Sequence, residues 1–401
     1  MKQDFGLHID PRGMINELKN NLVDRYPRDS ILKELLQNAD DAKATRLDFG
    51  WSAGFPNADH ILLQGPGLFA VNNGPFKKED EEAIRSFGLN YKAADRTTIG
   101  KFGLGLKSVF NVCEAFFFLA KTEAISERDH DTIGSIVNPW FGTGLHGDWN
   151  SFSPSDQSLL KQDLDRLLKD KAWFILWLPL RKKDHCHIQN SYEPDPEDLD
   201  EPPIQENALH SDYPGEATSC PSDLSSAQAK FFADQLPLLR SVRQVRLWTD
   251  WDGETTTTPQ FDVEITDNSP RCRFPERFDR VLGGPGTVRV DFLNQSSCLT
   301  YALKQGWLTE LDNFRKRPSW PKTMSFVGPK PDKALPHFAV SFSRCSQGKN
   351  LSIAQAVFLP LRSDNETRFG SDGWKYSLKL HGCYFIDAGR GQPVAVKTDS
   401  L

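Results

Sequence analysis

The sequence predicts an α+β fold, a two-layer α/β sandwich followed by a second α/β domain. Amphipathic helical patterns precede the first strands, and helices and strands then alternate without regular crossover units. This order predicts a two-layer sandwich of α+β type. With 401 residues, the chain is long enough for two domains that each bury a core.

A segment rich in proline and acidic residues divides the chain. It spans 183–225 and contains few apolar residues. Such a composition cannot bury enough apolar surface to form a core. We therefore expect a first domain over 1–182, an insertion or linker over 183–225 and a second α/β domain over 226–401.

The elements of the chain follow from apolar periodicity and turn signals. Helical spacing covers 14–27 and 28–44, with a break at Pro27 and a cap at Asp29 or Ser30. Further helices are predicted over 80–87, 107–113, 157–169 and 227–241. Strands are predicted over 46–51, 60–72, 115–120, 245–249 and 261–266.

A polar stripe lies along the predicted helix 28–44. Glu34, Asn38 and Asp41 are spaced at i, i+4 and i+7, so their side chains share one side of the helix. The adjoining stripe is apolar and can bury against a sheet; it contains Leu32, Leu35, Leu36 and Ala39. The polar stripe can thus face a cavity, although by itself it is also typical of a solvated helix face.

A glycine-rich turn over residues 100–108, with the sequence GKFGLGLKS, leads directly into an apolar helical pattern. Glycines let backbone amides approach an anion closely, and the start of the following helix adds unpaired N–H groups and partial positive charge. Leu106 separates Gly105 from Lys107, so the turn is not a Walker A motif. It predicts a phosphate-binding loop, with a ligand-free strand-to-helix turn as the alternative.

Together these two elements resemble the GHKL (Bergerat-fold) ATPases, most closely their chaperone-like and sacsin-like branch. The family's first motif, Glu-x-x-x-Asn-x-x-Asp-Ala, is matched at Glu34, Asn38, Asp41 and Ala42. The resemblance implies that Glu34 activates the attacking water and that Asn38 holds magnesium. It also implies a sandwich of Bergerat type that binds and hydrolyses ATP.

The family's second motif, Asp-x-Gly-x-Gly, is altered in this sequence. Asn72 stands in place of the aspartate, Gly74 is retained and the second glycine is missing. The amide oxygen of Asn72 can accept a hydrogen bond from the adenine amino group, less strongly than a charged acceptor. In the closing strand, Phe174 stands where the family's threonine would touch adenine. Both changes fall on the adenine side of the pocket.

The third family motif corresponds to the turn over 100–108, and the polar segment 77–98 lies where the family has a mobile lid. The cofactors that the resemblance implies are ATP and Mg²⁺. The residues that it assigns to the cofactors are Asn38, Asp41, Ala42, Asn72, Gly74, Gly100, Lys101, Phe102, Gly103, Leu104, Gly105, Lys107 and Ser108.

Two later segments, 356–362 and 378–390, resemble the paired strands of the domain that follows the ATPase in this branch. In the family, that domain delivers a basic residue to the γ-phosphate. The resemblance thus implies a catalytic role for Arg390, with Arg362 as a second candidate. Nucleotide would close the lid and reorient the second domain.

Three functions are compatible with the sequence. The first is a chaperone-like ATPase switch, alone or within a larger machine such as a prokaryotic defence system. The second is a catalytically silent nucleotide-binding scaffold or interaction module, which the altered adenine motif favours. A histidine-kinase-like phosphotransferase is disfavoured, because His8 is too near the terminus to be the phosphoacceptor of a dimerisation helix. The expected partners are ATP, a protein client or effector subunit, and a second copy in a nucleotide-dependent homodimer.

The composition argues against nucleic-acid binding and against membrane association. The 48 basic and 54 acidic residues give a net charge of −6, so the chain has no basic excess that would attract nucleic acid. No apolar run approaches the roughly 20 residues that span a bilayer, and the first residues lack the apolar core of a signal peptide. We therefore expect no membrane association and a cytoplasmic location.

The 7 cysteines are odd in number and include no Cys-x-x-Cys pair, so we expect no disulfide framework. A zinc site formed by His185, Cys186, His187 and Cys220 is disfavoured. Adjacent ligands on a strand point to opposite faces, and no second pair has the usual spacing.

Overall fold

The computed structural model of the chain describes residues 29–85, 105–113, 115–121, 132–138, 149–167, 173–180, 226–248, 259–273, 276, 280–293, 295–307, 337–344, 350–357, 359–360, 366–369 and 374–381. The helices are α1 (Asp29–Asp41), α2 (Ile61–Gln64), α3 (Lys78–Arg85), α4 (Pro154–Leu167) and α5 (Ser226–Gln235), with 3₁₀ segments at Gly105–Asn111, Trp149–Ser151 and Leu236–Leu238. The strands are β1 (Arg46–Ser52), β2 (Gly67–Asn72), β3 (Phe116–Lys121), β4 (Thr132–Val137), β5 (Trp173–Pro179), β6 (Gln244–Trp248), β7 (Phe261–Ile265), β8 (Leu282–Phe292), β9 (Gln295–Trp307), β10 (His337–Arg344), β11 (Asn350–Val357), β12 (Leu359–Pro360), β13 (Glu366–Phe369) and β14 (Trp374–His381).

All strands of the described residues belong to one mixed sheet. Its order is β12-β11-β14-β10-β9-β8-β7-β6-β1-β2-β5-β3-β4, with β13 paired to β11. The pairs β1–β6 and β11–β14 are parallel, whereas the other pairs are antiparallel. The prediction of a mixed α/β architecture is confirmed in this coarse form, with a large sheet and few described helices.

The sheet crosses the predicted domain limits at 182 and 226. β6 pairs in parallel with β1, and Val245 lies opposite Leu47. Buried Asp48 of β1 also accepts hydrogen bonds from Arg246 Nε at 2.5 Å and Trp248 Nε1 at 2.9 Å, both on β6. The two-layer arrangement and the separate second domain stay predictions.

Helices α1 and α5 cover one face of the sheet at β1 and β7. α1 buries the predicted apolar stripe through Leu35, Leu36 and Ala39. On α5, Phe232 stacks on Phe49 of β1 at 5.5 Å between ring centroids and contacts Phe261 of β7 at 5.9 Å. These contacts join α1 and α5 to one hydrophobic core.

The opposite face of the sheet is also covered near β3. Phe116 and Phe118 of β3 belong to the core beneath α1, whereas Phe117 belongs to a second cluster that includes Phe152 and Leu160. Alternate side chains of a strand point to opposite faces. β3 is therefore buried on both sides, which explains its uninterrupted apolar sequence.

Three predicted elements differ from the structure. The predicted strand 60–72 begins as helix α2, which His60 caps because its Nδ1 accepts a hydrogen bond from the Leu62 N–H at 3.2 Å. The predicted helix 107–113 is a 3₁₀ segment over Gly105–Asn111. The predicted helix 227–241 ends at Gln235, because Pro237 cannot continue an α-helix. The predicted helix 14–27 lies outside the described residues.

Candidate functional site

The first predicted motif lies on α1 and continues into the residue that follows the helix. Glu34 is buried, with 7% of its surface exposed, and Asn38 one turn later is exposed. The helix closes in a Schellman-type turn, in which the Ala44 N–H donates to the Ala39 carbonyl at 2.9 Å and Lys43 has a φ of 62°. This turn directs the chain from α1 into β1.

The second motif packs directly on the end of the first. A Cβ on Gly74 would lie 2.8 Å from the carbonyl oxygen of Ala42 and 3.0 Å from its Cβ. Asn73 fixes the same junction, because its Oδ1 accepts hydrogen bonds from the N–H groups of Thr45 at 2.9 Å and Arg46 at 3.0 Å. The close approach at Gly74 therefore requires a glycine.

Asn72, which is predicted to accept a hydrogen bond from adenine, is buried and already accepts one hydrogen bond within the chain. Its Oδ1 accepts a hydrogen bond from the Gly74 N–H at 2.9 Å. An amide oxygen has two lone pairs, so one more donor can be accepted. This contact orients the Asn72 side chain within the bend that follows β2.

An aromatic cluster adjoins Asn72. Phe174 of β5 lies opposite Asn72 in the sheet and stacks on Phe76, with ring centroids 5.3 Å apart and planes at 15°. Phe118 contacts both rings, at 5.6 Å and 6.1 Å. The neighbourhood of Asn72 is thus apolar on the side where the family resemblance places a threonine.

The end of the glycine-rich turn lies against α1. The 3₁₀ segment Gly105–Asn111 contacts α1, and Ser108 is buried. Val109 and Phe110 join the core that also contains Leu36. The structure thus places the end of the predicted phosphate loop against α1, and Gly74 against Ala42, which follows α1.

Several predicted site residues lie outside the described residues. They are Gly100, Lys101, Phe102, Gly103, Leu104, Arg362 and Arg390, together with most of the predicted lid and the four residues of the disfavoured zinc site. Among the residues that are described, no group of three His, Cys, Asp or Glu side chains is placed to hold a metal. No described helix has the length and apolar character that a membrane span requires.

Asp40 is a residue that the motif analysis missed. Its Oδ1 accepts hydrogen bonds from the backbone N–H groups of Arg240, Ser241 and Val242 at 3.1, 2.7 and 3.1 Å. Its Oδ2 accepts from Arg240 Nε at 3.1 Å. Arg240 Nη2 also donates to Asp41 Oδ1 at 2.6 Å, so the predicted site residue Asp41 is part of this buried ion pair.

A signal for Asp40 was present in the sequence. Asp40 follows Leu36 by four residues and therefore lies on the apolar stripe of α1. A carboxylate at a buried position needs a cation or several N–H donors. Its burial was thus predictable, but the identity of its partner was not.

The chain is similar to known proteins over part of its length. Residues 13–131 match the family described as Sacsin domain. Human sacsin is 34% identical over 128 residues, a match that covers 30% of this chain and only 3% of that protein. Among solved structures, the ATPase and transducer domains of DNA topoisomerase II from Balamuthia mandrillaris are similar at 11% identity and a TM-score of 0.29, over 60% of this chain and 56% of that chain. The predicted resemblance to the sacsin-like branch is therefore confirmed for residues 13–131.

Proposed function

We propose that the chain is an ATP-binding and ATP-hydrolysing switch of chaperone-like type, with its nucleotide site at α1. The observation that carries this proposal is the meeting of three motif segments. Gly74 packs on Ala42, and the 3₁₀ segment Gly105–Asn111 packs on α1. All three segments lie within 13–131, which matches the Sacsin domain.

In this proposal, Glu34 is the general base that orients and deprotonates the attacking water. Asn38 would hold Mg²⁺, which supplies positive charge beside the phosphates when it is bound. Asn38 fits this role because it is exposed and offers a carboxamide oxygen. Magnesium is usually held by one or two protein oxygen ligands together with the phosphates and water, so a larger cluster is not required.

Phosphate contacts would dominate over base contacts in this site. Hydrogen bonds to charged groups contribute roughly 1.5–3 kcal/mol each, and a neutral hydrogen bond contributes about 1 kcal/mol. Asn72 offers a neutral acceptor that already holds the Gly74 N–H, and the nearby Phe174 has no polar group. We therefore expect only modest selectivity for ATP over GTP.

Calorimetric titration of the chain with ATP and with GTP, each with magnesium, tests binding. In single-turnover assays, Glu34→Ala should bind ATP but hydrolyse it roughly 10² to 10⁴ times more slowly, because it lacks a positioned base. Glu264→Ala is the control that should keep the parental rate, because Glu264 is a half-exposed carboxylate on β7 that pairs with Arg289. If no nucleotide binds, the proposal fails; if Glu34→Ala hydrolyses ATP at the parental rate, Glu34 is not the base.

A second candidate is a scaffold that binds nucleotide without hydrolysing it. The substitution of Asn72 for the motif aspartate and the presence of Phe174 favour this candidate. Binding without turnover by the whole chain would support it. In the switch, by contrast, Arg390 would supply charge to the γ-phosphate, and a protein client, an effector subunit or a second copy would receive the conformational change.

A further inference from the structure

A cavity of about 510 Å³ lies beside the turn that contacts Asp40. Arg240, Arg271 and Arg273 line it, together with Glu276 and the buried Gln305 of β9. Small-molecule sites typically measure about 300–1,000 Å³, so the cavity can hold a small ligand. The described residues of its lining include three cationic side chains and a single carboxylate.

The three arginines differ in how their charges are compensated. Arg240 is paired with both Asp40 and Asp41. Arg273 Nη2 lies 2.5 Å from Glu276 Oε2, but both side chains are more than half exposed, at 55% and 56%. Exposed pairs of this kind contribute little, with a median of about 0–1 kcal/mol, so Arg273 can exchange Glu276 for another anion.

Arg271 is the cation with the least compensation. Among the described residues it has one hydrogen-bond acceptor, the Ser241 carbonyl at 3.3 Å from Nη1, and no carboxylate within ion-pair distance. A guanidinium carries five N–H donors. Burial, and next the like charge of Arg243, lower the pKa of Arg271, and the opposite charge of Asp40 offsets this only in part. An anion in the cavity would offset this cost.

The backbone that carries Arg271 and Arg273 is held in place before any ligand binds. Gln305 Oε1 accepts from the Arg273 N–H at 2.8 Å, and its Nε2 donates to the Arg271 carbonyl at 2.7 Å. The Tyr301 hydroxyl donates to the Pro270 carbonyl at 2.5 Å. Ordering a binding segment costs free energy on association, and these contacts reduce that cost.

We propose that this cavity binds the oxyanion group of a small molecule, a carboxylate or a phosphate. Arg271 is the main cation and Arg273 assists after it leaves Glu276. The planar guanidinium matches two oxygens of either group, which explains why arginine and not lysine lines the cavity. Among the residues that the structure describes, the lining of this cavity shares none with the three ATPase motifs, so the proposed anion site differs from the proposed nucleotide site.

Calorimetric titrations of the whole chain with sodium phosphate and with sodium acetate test the proposal. Sodium chloride keeps the ionic strength constant, and the two titrations distinguish a phosphate group from a carboxylate group. We expect saturable binding of at least one anion. Arg271→Met should weaken that binding at least tenfold, whereas Arg271→Lys should weaken it less, because it keeps the charge but loses the fork.

Arg289→Met is the matched control and should bind the anion as the parent does, because Arg289 lies seven positions along β8 from Leu282 and pairs with Glu264 and Asp291. Circular dichroism checks that each variant folds. If neither anion binds beyond the chloride level, the proposal is overturned. It is also overturned if both Arg271 variants bind phosphate and acetate with parental affinity, since the anion would then lie elsewhere, for example in the nucleotide site.

Discussion

The carboxylate of Asp40 joins α1 to the turn at 240–242. It is 1% exposed and accepts hydrogen bonds from three backbone N–H groups and from the Arg240 guanidinium. A buried charge is tolerated only when such partners replace its lost hydration. Arg240 also lines the cavity that we propose as an anion site. Its side chain therefore connects the end of α1 with that cavity.

Asp40→Ala should lower the free energy of unfolding by about 3–5 kcal/mol, because three buried backbone N–H groups lose their acceptor and Arg240 keeps only Asp41 as a partner. Asp267→Ala is the control. Asp267 also pairs with an arginine of this region, Arg243 at 3.5 Å, but its side chain is 92% exposed. The control should cost at most about 1 kcal/mol. Equilibrium urea unfolding measures both, and equal losses would contradict the assigned role of Asp40.

At the scale of single residues, the sequence indicated contacts between residues that are close along the chain and missed contacts between residues that are far apart along it. The bond from the Gly74 N–H to Asn72 spans two residues, a pattern common for asparagine in turns. Asp40 and Arg240 are separated by 200 residues. Periodicity marks Asp40 as buried, but nothing in a local pattern selects Arg240 as its partner.

At the scale of elements, the junction of α1, β1 and β2 positions the proposed site. Ala42 follows α1, Gly74 follows β2, and their backbones approach too closely for any larger residue at Gly74. Asn73 ties the same two segments together through Thr45 and Arg46. The glycine of the second motif therefore has a packing role at this junction, and its predicted contact with the nucleotide stays a prediction.

Gly74→Ala should reduce both stability and nucleotide affinity. The added methyl group meets the Ala42 carbonyl at 2.8 Å, and overpacking typically costs about 1–3 kcal/mol. Gly284→Ala is the matched control, because a Cβ there meets nothing within 4 Å. Thermal unfolding and calorimetric ATP titration measure the two effects. If the two variants are equally stable and bind ATP equally well, the Gly74 contact does not constrain the site.

Element types were predictable where one period dominates the sequence. The stripe of α1 and the apolar run of β3 predicted a helix and a strand within a few residues of the observed limits. The predicted strand 60–72 was wrong at its start, because a short apolar run such as Ile61-Leu62-Leu63 fits either element and the His60 cap decided for a helix. The predicted helix 227–241 ignored Pro237, which ends it early.

At the scale of the whole molecule, one sheet connects segments that the sequence analysis assigned to different domains. β6 extends the sheet at β1, and α5 packs on both β1 and β7 through Phe232. Strand order of this kind depends on pairings between residues about 200 positions apart. Local patterns carry no information about such pairings, so the sequence predicted the elements better than their order.

A buried ion pair extends this connection to the far part of the sheet. Asp234 of α5 pairs with Lys379 of β14 and also accepts a hydrogen bond from Ser377 Oγ at 3.0 Å. Asp234 and Lys379 are 2% and 6% exposed. We infer that the pair fixes α5 relative to β14. Each charge compensates the other, so the pair as a whole adds less to stability than the loss of one partner would remove.

A double-mutant cycle tests this inference. Asp234→Asn should lower the free energy of unfolding by about 3–5 kcal/mol, because Lys379 would remain charged and buried. Lys379→Met should cost a similar amount, because Asp234 would then lack its cation. The double variant removes both charges, so it should be much more stable than the sum of the two losses predicts. Urea unfolding of the four proteins measures the coupling, and strictly additive losses would mean that the two charges do not depend on each other.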